Sequence, residues 1–466
     1  MTPRLLIASL CGIVFGALLW VLPADQFALA LLAAVSALAA LQRPAFALVL
    51  FALAATFMPF ATFQLGVRIT VAEALLILAW AGTLWQLFIH RIAWSWGRTE
   101  KALVVLMLFS ALPFVVGQVT IHADGSGAVN WFRWLLNLSV LLLVPLLLIE
   151  QRRREQLIEM LLLGTLAMLL LSLGTFMRHH NAMDMIPLLT AMHYAHPEAM
   201  QDIFSAEPAR LGTPWVHPNL TGGALVLFLP LALFYGIARD GWRRWLGLTT
   251  AVLGVIGLLL SSSRGAILSL TLVLLWLVWL KVPMTRKLIL AAFVAGAALV
   301  LFYPPLQARI ATMFSSTNAS TEIRFDEYRM FPAAMSRYPL GIGFKVDPPV
   351  PGSGLLGISN VWLNYIYKIG VPGMLLFCAV LWQWWRECRP RGKVPRVGAD
   401  NAIWLGTLAG MSAALLTGLF DHYYSFTMVL VALFWLMMGL NLQAARALHP
   451  PRARRRGADT AYGITP

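Results

Sequence analysis

Long apolar runs separated by short basic connections dominate the chain. About 12–14 of these runs approach the ~20 apolar residues that a helix needs to cross a hydrocarbon core ~30 Å thick. They lack the alternation over about ten residues that marks the strands of a membrane β-barrel. The composition agrees, since 59% of the residues are hydrophobic and 12% charged, against about 25% charged in soluble domains. The sequence therefore predicts an all-α polytopic membrane protein.

The basic residues indicate how the chain crosses the membrane. Clusters such as EQRRRE (150–155), ARDGWRR (238–244) and the tail RALHPPRARRR (446–456) alternate with much less basic connections. With both termini in the cytoplasm, most of the 35 Lys and Arg fall on the cytoplasmic side, as the positive-inside rule requires. The net charge of +15 is thus a topology signal. No basic stripe with interleaved aromatic residues is visible, so we expect no nucleic-acid partner.

Three regions follow from this pattern. Residues 1–150 are predicted to be N-terminal transmembrane helices, the first a retained helix rather than a cleaved signal peptide. Residues 151–445 form a transmembrane core with two long external segments, 177–218 and 305–358, which are expected to contain short helices. Residues 446–466 read as a disordered cytoplasmic tail. The three cysteines show no metal-ligand spacing, so neither a metal nor a cofactor is expected.

Arg264 is the first candidate functional residue. It lies in SSSRGAIL, at the junction of two apolar runs, where burial of its charge in lipid would cost at least ~2.5–3.5 kcal/mol. Its side chain must therefore either extend to the membrane interface or point into a cavity. The preceding serines and a helix beginning just after it would together form a seat for a phosphate group. The residues alone leave both interpretations open.

A second candidate stretch is RLGTPWVHPNLTGG (210–223). In the simpler interpretation, Pro218 and Asn219 begin a helix, with Asn219 near the cap and His217 at the membrane interface. In the functional interpretation, Arg210 binds phosphate and His217 serves as a base or a hydrogen-bond donor.

Three further stretches also fall on the external side. TEIRFDEYRMFPAAMSRYPLGIGF (321–344) combines aromatic residues, carboxylates and arginines, which suits either a sugar-binding surface or an ordinary interfacial helix. Its PLGIGF segment is predicted to be a tight turn whose backbone can approach a ligand. The other two stretches contain Ser359 with Asn360, and Asp421 with His422. Because all five stretches face one side, we expect them to form a single site.

Taken together, these stretches resemble the bacterial O-antigen ligase and polymerase superfamily. The motifs occur in one order over roughly residues 200–440: RLGTPWVHPNLTGG, SSSRGA, RFDEYRMFPAAMSRYPLGIGF, SNVWLNYIYKIGVPG and FDHYYSF. The resemblance implies a multi-pass protein of the bacterial inner membrane with a glycosyltransferase C-type helical bundle. Such enzymes are metal-independent and act on the periplasmic side. They move a glycan from undecaprenyl diphosphate to an acceptor hydroxyl, with inversion.

The resemblance also implies roles for individual residues. Arg210 and Arg264, with Arg324 and Arg329, would bind the diphosphate of the lipid-linked donor. The catalytic candidates are His217, Arg210, Arg264, His422 and Glu327. The candidates for binding the substrate or the acceptor are Asn219, Tyr328, Ser359, Asn360 and Asp421.

One departure from the family pattern matters. Ser359 stands where the family commonly has a histidine, and Lys368 stands where an acidic residue is common. Serine is a poor base, so the role would fall to His217, His422 or a carboxylate, Glu327 or Asp326. The departure favours an O-antigen or exopolysaccharide polymerase over a ligase.

The expected partners follow from the same resemblance. They are an undecaprenyl-diphosphate-linked glycan donor, an acceptor that is another glycan or, for a ligase, the lipid A core, and membrane lipid. A chain-length regulator is a further candidate. Two other classes stay open: a transporter of lipid-linked sugars, for which Glu73 and Lys368 are the conspicuous charges within apolar runs, and a non-catalytic family member. The sequence shows no internal repeat, which transporters usually have.

Overall fold

The protein is an all-α polytopic membrane protein, as the apolar runs predict. The computed structural model describes residues 23–121, 127–179, 185–194, 210–212, 217–302, 304, 307, 319–345, 358–392, 394, 396–426 and 428–449. Within these ranges the strands β1 (Thr62–Leu65) and β2 (Val67–Thr70) form one short antiparallel hairpin. The predicted first helix and the tail after residue 449 lie outside the described residues.

Helices make up nearly all of the described structure. Those before residue 192 are α1 (Ala24–Gln42), α2 (Pro44–Phe57), α3 (Val71–Phe88), α4 (Arg98–Phe109), α5 (Ala111–Thr120), α6 (Ala128–Leu138), α7 (Val140–Leu147), α8 (Gln151–His179) and α9 (Met185–Ala191). Those that follow are α10 (Pro218–Ile237), α11 (Gly241–Ser261), α12 (Arg264–Trp279), α13 (Thr285–Phe302), α14 (Ala319–Arg337), α15 (Val361–Cys388), α16 (Ala402–Thr417), α17 (Tyr423–Phe426) and α18 (Met428–Leu448).

The number of membrane spans agrees with the sequence. Within the described ranges, nine helical segments are long and apolar enough to cross a bilayer. Three shorter apolar helices, α2, α12 and α16, add to them. Two of the nine segments are composite, since α4 continues into α5 at Ser110 and α6 into α7 at Ser139. Each of the two long segments that the sequence predicts to be external also contains a described helix, α9 in 177–218 and α14 in 305–358.

Helix α10 lies at the centre of the bundle, and 89% of an apolar stretch of 18 residues within it is buried. Glycines allow its neighbours to approach closely. A methyl group on Gly247 of α11 would lie 2.6 Å from the backbone nitrogen of Gly236 in α10. Gly406 and Gly410 of α16 likewise face the α10 backbone. Small residues at helix contacts are the usual way for membrane helices to pack, because the hydrophobic effect does not drive their association within lipid.

Ion pairs hold the helices at one end of the bundle. Arg446 of α18 binds Glu100 of α4 at 2.6 Å and Glu387 of α15 at 2.7 Å. Glu155 of α8 binds Arg239 at 2.7 Å and Arg243 at 3.3 Å. The opposite end contains the N-termini of α10, α12 and α15 and the C-terminus of α16, and we call it the site end.

Helix α15 is broken near its middle, at Ile369 and Gly370. Pro372 cannot donate to the carbonyl of Lys368 four residues before it, so the break leaves acceptors without helical partners. The PLGIGF turn supplies the donors: Ile342 donates its N–H to Tyr367 O and Gly343 donates to Lys368 O, both at 2.9 Å. The tight turn expected from the sequence is present, with φ of +86° at Gly341 and +71° at Gly343. Its backbone packs against the break in α15, and the approach to a ligand stays a prediction.

Replacement of Gly247 by alanine tests the packing of α10 on α11. The added methyl group has no room against backbone atoms, so we expect a loss of about 1–3 kcal/mol, seen as a lower Tm in detergent. Gly174→Ala in α8 is the matched control, because nothing lies within 4 Å of its added Cβ. Alanine should there raise helix stability by roughly 0.5–1 kcal/mol. Equal Tm values for the two variants would contradict the packing described.

Candidate functional site

The candidate site is a cavity of about 530 Å³ at the site end. It lies where α10, the turn between α11 and α12, α14 and the turn after α16 meet. The lining residues are Arg210, Asn219, Ser262, Ser263, Arg264, Gly265, Ala266, Leu268, Arg324, Phe325, Tyr328, Thr417, Leu419, Phe420 and Asp421. Six residues predicted from the sequence are therefore brought together: Arg210, Asn219, Arg264, Arg324, Tyr328 and Asp421.

Arg210 connects three elements of the cavity wall. Its Nε donates to Ser261 O at 2.9 Å, where α11 ends. One terminal nitrogen donates to Oδ1 of Asn219 at 2.7 Å and to Ser262 O at 3.4 Å. The last carbonyls of a helix have no helical partners, so Arg210 satisfies acceptors that would otherwise be unbonded. It therefore has a structural role as well as a position in the cavity wall.

His217 caps the N-terminus of α10, and Asn219, which the simpler interpretation placed near the cap, is the second residue of the helix. The Nδ1 atom of His217 accepts the N–H of Asn219 at 3.2 Å, and Pro218 is the first residue of the helix. The side chain of Asn219 is thereby available to Arg210. Because Nδ1 accepts, the neutral ring carries its proton on Nε2 and presents a donor there.

Arg264 is the first residue of α12, and the N-terminus of that helix opens on the cavity. The turn before it is held in place by Ser262 in the left-handed region, with φ of +51°. A methyl group on Gly222 of α10 would overlap the side chain of Ser263. The positive end of the helix dipole and the guanidinium of Arg264 thus lie together, an arrangement that favours an anion.

Helix α14 presents Arg324 and Tyr328 to the cavity, four residues apart on one face. Arg324 lies 3.4 Å from Oδ2 of Asp421. The Nε atom of Arg324 is buried and has no acceptor among the described residues. Arg329 and Asp326 are exposed and do not line the cavity. The structure therefore separates Arg329 from the other three arginines.

Asp421 lies in the turn between α16 and α17, outside the membrane-spanning helices. Burial raises its pKa to about 6, against the opposing effects of Arg324 and of hydrogen bonds from the Tyr423 hydroxyl and the His422 N–H. The Nδ1 atom of His422 lies 3.8 Å from Oδ1 of Asp421. An Asp with such a pKa is poised to take up a proton near neutral pH. Tyr423 was not predicted, although it lies in the FDHYYSF motif.

Glu327, Ser359 and Asn360 form a separate group beside the cavity. Ser359 donates its N–H to Glu327 Oε2 at 2.7 Å and its hydroxyl to Oε1 at 3.1 Å. Burial raises the pKa of Glu327. Asn360 caps α15 by accepting the N–H groups of Trp362 and Leu363, and its amide donates to Leu419 O at 2.9 Å. None of the three lines the cavity.

One sequence comparison matches part of the chain to the family that the motifs resemble. Residues 249–378 match the model of a family described as O-Antigen ligase. The match confirms the resemblance to the O-antigen ligase and polymerase superfamily. It includes Arg264, Arg324 and Ser359, whereas Arg210, His217 and Asp421 lie outside it. No curated protein matches the chain.

Titration of His217 predicts a pH dependence of stability. Burial, followed by the charges of Arg210 and Arg324, lowers its pKa from 6.5 to about 4. The folded protein thus binds fewer protons than the unfolded chain between these values, so this contribution to stability rises with pH through that interval. His217→Asn keeps a capping acceptor without the titration. The Tm of the wild type minus that of the variant should rise between pH 4 and 6.5 and level off above. A difference independent of pH would contradict the assignment.

Proposed function

From the match to the O-antigen ligase family, we propose that the chain transfers a glycan from undecaprenyl diphosphate to the hydroxyl of an acceptor sugar. The observation that carries the proposal is one cavity lined by Arg210, Arg264 and Arg324. A diphosphate carries several negative charges, and arginine binds phosphate oxygens through paired N–H donors. The substitution of Ser359 for the family histidine favours a polymerase of O-antigen or exopolysaccharide over a ligase that uses the lipid A core.

The proposed location is the bacterial inner membrane, with the site end in the periplasm and both termini in the cytoplasm. The basic clusters support this orientation, because EQRRRE and ARDGWRR lie at the end opposite the cavity. The donor's lipid would then stay in the bilayer while its diphosphate enters the cavity. The apolar side chains of Leu268, Leu419 and Phe420 in the cavity wall suit the first part of that lipid.

The arginines act on charge that develops as the leaving group departs. The acceptor oxygen bonds to the anomeric carbon of the donor, and the bond from that carbon to the diphosphate oxygen breaks. Undecaprenyl diphosphate leaves with the electron pair. Arg264 and Arg324 are positioned by the fold before the reaction, so they stabilise the new charge without reorganising. A single displacement of this kind inverts the anomeric carbon.

Asp421 is the base that we assign to the acceptor's proton. It lines the cavity, and its raised pKa suits proton uptake near neutral pH. Glu327 has both oxygens bonded to Ser359 and lies outside the lining. His217 has its accepting nitrogen bonded to the α10 backbone. Glu327 therefore positions α15, and His217, which also lies outside the cavity lining, caps α10.

Arg264→Ala tests the binding of the diphosphate. We expect transfer of glycan between carrier-linked repeats to fall by about 10²-fold or more, as when one donor to a developing oxyanion is removed. The assay uses purified protein in liposomes and measures chain extension, which separates transfer from lipid movement. Arg337→Ala is the control, because Arg337 is exposed on the same α14 helix as Arg324 and contacts Tyr338. Unchanged extension by the Arg264 variant would overturn the proposal, and so would movement of lipid without extension.

The pH profile distinguishes Asp421 from Glu327 as the base. Asp421→Asn should lower transfer by about 10²–10⁴-fold and abolish the acid limb of the rate, which in the wild type should lie near pH 6. Glu327→Gln keeps an acceptor for the Ser359 N–H and should retain that limb. A profile that loses its acid limb in the Glu327 variant and keeps it in the Asp421 variant would transfer the assignment to Glu327.

A further inference from the structure

A second cavity, of about 210 Å³, also has a lining residue from the segment 419–426. Phe420 and Asp421 line the first cavity, and Phe426 lines the second. The lining residues of the second cavity are Asn130, Arg133, Trp134, Asn137, Gly343, Phe344, Lys345, Lys368, Phe426 and Val431. They come from both the N-terminal region (1–150) and the transmembrane core (151–445) that the sequence predicts. The segment 419–426 therefore contributes to both cavities, with different residues in each.

Helix α6 contributes a polar face to this cavity. Asn130, Arg133 and Asn137 follow one another at the spacing that places them on one side of a helix. Asn137 is only 3% exposed, and it lines the cavity. A buried amide group has both donors and an acceptor, and it is stabilised when a ligand or water in the cavity bonds to it. Polar residues that face the interior of a membrane bundle commonly mark a functional site.

The cationic residues of the lining are held in place by the fold. Glu73 of α3 binds Arg133 through two hydrogen bonds, Nε to Oε1 at 2.7 Å and the terminal nitrogen to Oε2 at 2.9 Å. Lys368 lies at the break in α15, with Nζ 5.8 Å from the centre of the Phe426 ring. Lys345 donates to the carbonyls of Gln118 and Ile121 at the end of α5. The described lining residues thus carry cationic groups at fixed positions.

Aromatic rings form the remaining wall. Trp134 stacks on Phe426 with centroids 5.6 Å apart, and Phe344 lies 5.3 Å from Trp134. Apolar ring faces pack against the C–H groups of a sugar, whereas a bare phosphate gains nothing from them. Amide groups pair with hydroxyls, and cations pair with a carboxylate. The lining therefore combines three kinds of group. Aromatic rings suit the C–H faces of an acidic sugar, amides suit its hydroxyls, and cations suit its carboxylate.

We propose that the second cavity binds a sugar ring that carries a carboxylate. The inference rests on the proposed function, since a glycan transferase would bring such a sugar to the bundle as part of its glycan. With the diphosphate in the first cavity, an acidic sugar in the second would fix how the glycan lies across the segment 419–426. The chain would then prefer glycans that contain a uronic acid over neutral ones.

Binding of simple glycosides tests this site without measuring transfer. Methyl glucuronoside and methyl glucoside are added separately to the purified full-length protein in detergent, and binding is followed by saturation-transfer NMR. We expect the acidic glycoside to bind at least about tenfold more tightly, because a charge-assisted hydrogen bond outweighs a neutral one. Equal binding of the two glycosides, or binding of neither, would overturn the proposal. Displacement of the glucuronoside by an equal concentration of inorganic phosphate would also overturn it, since it would indicate a plain anion site.

Variants locate the binding in the second cavity. Lys368→Met and Asn137→Leu keep the side-chain volume, and each should weaken glucuronoside binding by about tenfold or more. Lys368→Arg keeps the charge and should retain binding, which separates loss of charge from misfolding. Arg264→Gln, in the first cavity, should bind the glucuronoside as the wild type does. Retained binding in Lys368→Met or Asn137→Leu would overturn the assignment. Failure of the proposed function would appear only in the transfer assay with Arg264→Ala.

Discussion

The first cavity depends on the hydrogen bonds that Arg210 makes with the end of α11 and with Asn219 of α10. The carbonyls of Ser261 and Ser262 would otherwise lack partners at the point where the chain turns into α12. Because these bonds fix the turn, they also fix Arg264, which follows it directly. One arginine thus positions another. The close contact of Gly222 with Ser263 serves the same end, since it sets the distance between α10 and the turn.

The break in α15 organises the second cavity in a comparable way. Pro372 leaves the carbonyl of Lys368 without its helical donor, and the glycine turn of PLGIGF provides one. This exchange brings Gly343 and Phe344 against the bundle and holds Lys368 at the cavity wall. The two cavities therefore form by one principle. Backbone groups left unpaired at a helix end or break are satisfied by a neighbouring segment, and that segment carries site residues.

Much of the architecture could be predicted from the sequence, because it follows from local properties. Apolar runs of sufficient length become helices in lipid, since only helices satisfy the backbone there without help from other segments. The position of Arg264 at a helix start was predictable from the serines before it and the apolar run after it. The sequence prediction grouped Arg329 with Arg324 as diphosphate-binding residues, whereas the helix presents Arg324 and Tyr328 to the cavity and leaves Arg329 exposed. The motifs that resemble the O-antigen ligase and polymerase superfamily then predicted a glycan transferase.

Other features required the tertiary structure, because they depend on contacts between distant segments. The sequence placed Asn219 near the cap of α10, but the cap is His217, and the side chain of Asn219 accepts from Arg210 nine residues away in the sequence. The raised pKa of Asp421 arises from burial that only packing creates. The second cavity joins α6 to α15 and α17, and nothing in those separate segments indicates their contact. Sequence by itself determined the membrane class, the helices and six of the fifteen residues that line the first cavity. Only the fold decided which donors and acceptors pair, because hydrogen bonds and burial depend on distances in space.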